Sequence, residues 1–88
     1  MICQVFRSSR QQEMYLYVQQ ARGTQDVPEA LLRKFGELVP VMVLQLTPER
    51  KLARADAATV LTSLEQQGYY LQLPPLVADL LSREVTNG

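Results

Sequence analysis

Between Pro40 and Pro48 the chain reads VMVLQL, Val41 to Leu46. A nearly continuous apolar run, part β-branched and closed by a proline at each end, is the pattern of a central strand buried on both faces. Such a strand needs helical cover above and below. The rest of the chain has to supply it from 88 residues, which is enough for one domain and not two. At that size folding buries roughly 60–68% of the surface of the unfolded chain, so the core is real but modest.

The flanking sequence offers matching pieces. Ile2–Phe6 and Met14–Val18 read as two strands joined through the polar stretch RSSRQQE, a hairpin. In the second strand Tyr15 and Tyr17 point one way and Met14, Leu16 and Val18 the other. Asp26, Pro28 and Glu29 suit a helix start, with Asp26 as the cap. Val27, Leu31 and Phe35 then form an apolar stripe, and Gly36 is placed to end the helix. The strongest helix pattern spans Asp56–Gln67, capped by Asp56, with Ala57, Val60, Leu61 and Leu64 on one face and Gly68 as the stop. Tyr69–Leu73 is a fourth strand that Pro74 and Pro75 terminate. Val77, Leu80, Leu81 and Val85 predict a third helix at about 76–84.

The order is therefore β-β-α-β-α-β-α, an α/β fold with helices on both faces of a four-stranded sheet. The unit Val41–Leu73 reads most simply as a right-handed parallel crossover, which beside the opening hairpin makes the sheet mixed. Residues 1–88 form a single domain, with about 84–88 a frayed polar tail.

Several chemistries drop out. The chain has no histidine, which removes the commonest general base and the commonest metal ligand. Cys3 is the only cysteine, so an intramolecular disulfide is excluded and a metal site is not expected. Its neighbours are apolar, the setting of a buried, inert thiol. Nine basic and nine acidic side chains cancel, giving no global pull toward nucleic acid or an anionic membrane, so no DNA partner is expected. The apolar runs are too short to span a bilayer, and the N-terminal stretch lacks the pattern of a signal peptide. A cytoplasmic, monomeric protein without a cofactor is the expectation.

The segments CQVFRSSR (Cys3–Arg10), EMYLYV (Glu13–Val18), VPEALLRKFG (Val27–Gly36), KLARAD (Lys51–Asp56) and GYYLQLPP (Gly68–Pro75) together resemble the YcgL-domain proteins of proteobacteria. The resemblance runs to about Arg83 and rests on the order and spacing of the segments. It implies a small α/β/α sandwich and assigns no activity. Members commonly carry Tyr where this chain has Phe6, and a third proline where it has Leu76. A hydroxyl at position 6 and a longer polyproline segment are thus unavailable here.

The candidate surface lies in two loops. Arg7 and Arg10 flank the hairpin turn, while Arg50, Lys51 and Arg54 precede the Asp56 helix. Convergence of the two would make an anion-binding or partner-binding patch, with Ser8, Ser9 and turn amides adding hydrogen bonds. Otherwise they are solvated loops, partly balanced by Glu13 and Glu49. The tyrosines read as cross-strand packing, because cover on both faces leaves no open platform for stacking bases. Tyr70 and Gln72 are the strand residues that can reach the edge of such a patch. No catalytic set is evident. The expected role is a non-enzymatic module for a protein or RNA partner. The alternative is a small enzyme or sensor for a phosphorylated or other anionic small molecule.

Overall fold

A computed structural model describes residues 1–52 and 55–74. The expected helix at 76–84, Pro75 and Arg54 lie outside the described residues. The elements are β1 (Ile2–Ser8), β2 (Tyr15–Gln19), α1 (Glu29–Phe35), β3 (Leu38–Gln45), α2 (Ala57–Gln66) and β4 (Tyr69–Gln72). The strands form one sheet in the order β3-β1-β2-β4, and every neighbouring pair is antiparallel.

Two expectations are corrected by this order. The sheet is antiparallel rather than mixed, and β3-α2-β4 is no parallel crossover. β3 and β4 form opposite edges, so α2 carries the chain across the face of β1 and β2. The run VMVLQL is accordingly an edge segment and not a central strand. Its central side chains are open to solvent: Val41 is 42% exposed, Met42 49% and Val43 50%. Only Leu44 and Leu46 enter the core.

Backbone polarity explains how so apolar an edge is managed. Leu46 N donates to Met1 O at 2.7 Å and Ser9 N to Glu37 O at 3.3 Å, so odd-numbered residues of the first strand bond toward β3. Ser8 N donates to Met14 O at 2.9 Å and Gln20 N to Ile2 O at 3.0 Å, so even-numbered ones bond toward β2. Pro40 sits opposite Phe6, an even position, so it occupies an outward-facing site where an amide hydrogen would otherwise be unpaired. The register also shifts between Val5 and Phe6, a bulge beside Val41. Proline and bulge together break the row of free donors that an edge strand presents.

The two helices pack on opposite faces. Under α1 lie Met14, Leu16, Val18, Val27 and Phe35, with Phe6, Tyr69 and Leu71 at the margin. Under α2 lie Cys3, Val5, Tyr17, Leu44 and Leu46 with the helix's own Ala57, Val60 and Leu64. This is the α/β/α layering expected from the sequence. Asp56 caps α2, its Oδ2 accepting from Thr59 N at 3.0 Å. Gly68 follows α2 at φ +90, and a Cβ there would lie 2.5 Å from Asp26 Oδ2, so only glycine fits the stop. Asp26 does not cap α1. The residue before α1 is Pro28, with no side-chain cap, and Asp26 instead pairs with Arg22 at 2.6 Å.

Candidate functional site

The strand pairings lay out the α2 face in three rows. The first is Leu44, Cys3, Gln19; the second Met42, Val5, Tyr17, Tyr70; the third Val39, Arg7, Tyr15, Gln72. α2 sits over the first row, where Gln19 Nε2 donates to Leu64 O at 3.1 Å. It packs on Tyr17 and leaves the third row beyond it. A cleft of about 450 Å³ opens at that end. Its floor and walls are Val5, Tyr15, Tyr17, Met42 and Leu44, and its charged lining is Arg50, Lys51 and Glu13. Cover on both faces is thus incomplete among the described residues, and the expectation of no open platform is corrected.

The sequence-predicted residues divide accordingly. Arg50 and Lys51 stand at the cleft, both exposed. Their loop is tied down by a turn, with Arg50 N donating to Thr47 O at 3.0 Å, and by an isolated bridge between Lys51 and Asp56. Arg7 and Arg10 line a separate groove along the hairpin. Glu13 and Tyr15 line both depressions, so the two basic loops flank one shared wall. Gln72 lines the cleft and Tyr70 does not. Tyr70 meets Tyr17 edge-to-face, with ring centroids 5.8 Å apart. Tyr17 Oη donates to Gln72 Oε1 at 3.2 Å, which fixes the amide at the cleft end. Among the described residues the ion pairs are Arg22–Asp26 and Arg33–Glu29, neither involving these four cations.

Ser8 and Ser9 bond within the protein. Ser8 is buried, its Oγ donating to Phe35 O and accepting from Arg10 N at 3.0 Å and Gln11 N at 3.1 Å. Ser9 Oγ accepts from Glu37 N at 2.7 Å. Both clamp the hairpin onto the end of α1, where Gly36 leaves room: a Cβ there would lie 2.6 Å from Arg10 Cγ. A polar pair in a turn looks the same in sequence whether it serves a ligand or its own amides.

Two titratable groups of the α2 face are shifted by burial. Burial pushes the Cys3 thiol up to about 11, so it stays protonated at neutral pH, and the side chain is fully buried. Burial also raises the Tyr17 phenol. Among the described residues no three His, Cys, Asp or Glu side chains group to hold a metal ion. None of the described helices is long and apolar enough to cross a membrane.

What sequence reasoning missed is the apolar half of the site, Tyr15 with Met42 and Val41. The signal was present in part, since Tyr15 and Tyr17 were placed on one strand face. Finding the cleft also required knowing that β3 is an edge.

Comparison with known proteins places the sequence in a family. The sequence profile of the YcgL domain matches residues 3–75. A YcgL domain-containing protein of Chromohalobacter salexigens is 57% identical over 74 residues, covering 84% of this chain and 77% of its own length. One from Pseudomonas putida is 57% identical over 75 residues, covering 85% of this chain and 77% of its own. One from Cellvibrio japonicus is 51% identical over 83 residues, covering 94% of this chain and 83% of its own.

Proposed function

The chain belongs to the YcgL-domain family, and from that premise we propose that it is a non-enzymatic interaction module. It binds a partner that presents a short anionic segment, acidic side chains of a protein or phosphates of an RNA. The surface is the open end of the α2 face, with Arg7 and Arg10 on one side and Arg50 and Lys51 on the other. Arg54, which lies outside the described residues, belongs to the same basic stretch of sequence.

One observation carries this reading. The hairpin groove and the cleft share Glu13 and Tyr15 as a common wall. Four exposed cations of a protein with zero net charge therefore stand on the two sides of one wall. Cations so placed raise the local anion concentration and fix its orientation without any catalytic group. The absence of histidine and the inert Cys3 leave no nucleophile–base pair among the described residues.

Partner capture from lysate tests the proposal, using wild type and a variant with Arg7, Arg10, Arg50 and Lys51 changed to Glu. Specific partners are expected with wild type and lost with the variant, at unchanged circular dichroism. Nuclease treatment of the captured material separates RNA from protein. Recovery of the same partners by both chains would show that these loops are not the surface. The alternative, an enzyme or sensor for an anionic small molecule, uses the same cations, and its binding half is favoured by the cleft.

A further inference from the structure

We propose that the cleft on the α2 face is a binding site for a small amphipathic anion, a carboxylate carrying a medium-length alkyl chain. The inference rests on the reading of Arg50 and Lys51 as anion contacts, and adds what lies beneath them. Their loop stands over an apolar bed of Tyr15, Tyr17, Met42 and Leu44. A solvated basic loop needs no such bed, and a phosphate site would be lined by backbone amides or further donors instead.

Size, charge and polarity converge on the same class. A cleft of about 450 Å³ falls within the span of small-molecule sites and is too small for a folded partner's domain. Among the described residues Arg50 and Lys51 bring two positive charges to the lining, which suits an anionic head group. Of the two phenols in the bed, that of Tyr17 already donates to Gln72 Oε1. The Gln72 amide nitrogen keeps its two hydrogens for an acceptor, since among the described residues it donates to none. The turn at Thr47 and the Lys51–Asp56 bridge hold the cations at the mouth before any ligand arrives, which lowers the ordering cost of binding.

Isothermal titration of the full chain with decanoate, decanol and decylammonium, each far below its micelle concentration, tests the site. Decanoate is expected to bind as one equivalent, the neutral alcohol more weakly and the cation least. Arg50→Glu with Lys51→Glu should weaken decanoate by about tenfold or more. Met42→Glu, an exposed position where folding is not at stake, should do the same by placing a charge in the bed. Lys34→Glu, an exposed position on α1 across the sheet, should leave decanoate binding unchanged. Equal affinity for decanol, no heat with any ligand, or indifference to both cleft variants would overturn the proposal. Lysate capture is read on the same proteins. Loss of partners without decanoate binding sinks only this inference; decanoate binding with partners retained in the charge-reversed chain sinks only the partner surface.

Discussion

The two faces of the sheet are built from similar residues and closed to different degrees. On the α1 face Phe35 of the short helix clusters with Leu16 and Val18 of the sheet, and the hairpin is bonded to the helix end by Ser8 and Ser9. On the α2 face the longer helix seals Cys3 and Leu44 but leaves Tyr15 and Met42 beside open space. Helix length does not decide how much of a sheet is covered. The seven-residue α1 is bonded at its end to the β1–β2 hairpin through Ser8 and Ser9, whereas the ten-residue α2 sits over the far end of the strands. The α1 face holds the wholly buried Leu16 and Phe35, and the α2 face holds the cleft.

Truncations should separate the faces most strongly. Phe35 is wholly buried, so Phe35→Ala should cost about 3–5 kcal/mol through lost transfer energy and an unfilled cavity. Met42→Ala, on the cleft wall, should cost less than about 1 kcal/mol, because a half-exposed side chain removes little burial. Urea denaturation of both variants measures the difference. Comparable losses would mean that the cleft is packed shut in solution, and the contrast between the faces would be gone.

A smaller effect marks the boundary between sealed and open parts of the α2 face. Cys3, beneath α2, has its thiol pushed by burial from an ordinary value of 9.0 to about 11. Between those values the unfolded chain gives up a proton that the folded chain keeps. The stabilisation from a neutral buried thiol is therefore complete below about pH 9 and is lost as pH rises toward 11. A displacement of that size corresponds to roughly 2–3 kcal/mol. Urea midpoints followed through this range should fall more steeply for wild type than for Cys3→Ala. Parallel curves would place water at the thiol and extend the open region under α2. Tyr17 titrates in the same direction, its phenol raised first by burial and next by the Cys3 charge, so part of its contribution is also removed by Cys3→Ala.

Much of this architecture is legible in the sequence, and the exceptions share a cause. The hairpin, the Asp56 cap, the glycine stop at Gly68 and the alternation of Tyr69 and Leu71 against Tyr70 and Gln72 are local patterns, and the structure repeats them. The edge position of β3 is not local. An apolar run reports a preference for extended backbone and burial, but not which neighbour lies beside it, and Val41–Val43 are spent on an exposed edge. Of the site, the cations Arg50 and Lys51 were readable as a basic loop. Their apolar bed was not, because Tyr15, Met42 and Leu44 meet only through strand order. Ser8 misleads for the complementary reason: its partners, Phe35 O and the turn amides, exist only once α1 has docked.

Two aspartates that look alike in sequence supply the finest test of how each helix is held. Asp56 and Asp26 both precede a helical pattern, yet only Asp56 caps, accepting from Thr59 N and from Thr59 Oγ1, each at 3.0 Å. Removing it leaves first-turn donors of α2 unpaired, so Asp56→Ala should cost about 1 kcal/mol and be insensitive to salt. Asp26 holds Arg22 in a two-point ion pair, with contacts of 2.6 and 3.0 Å, on the surface. Asp26→Ala should destabilise less, and the loss should fade as salt screens the pair in the wild type. Thermal melts of both variants at low and high ionic strength distinguish a cap from a surface pair. A salt-independent loss at Asp26 equal to that at Asp56 would mean that α1 is capped after all. The hairpin clamp through Ser8 and Ser9 would then no longer be needed to explain why so short a helix closes its face of the sheet.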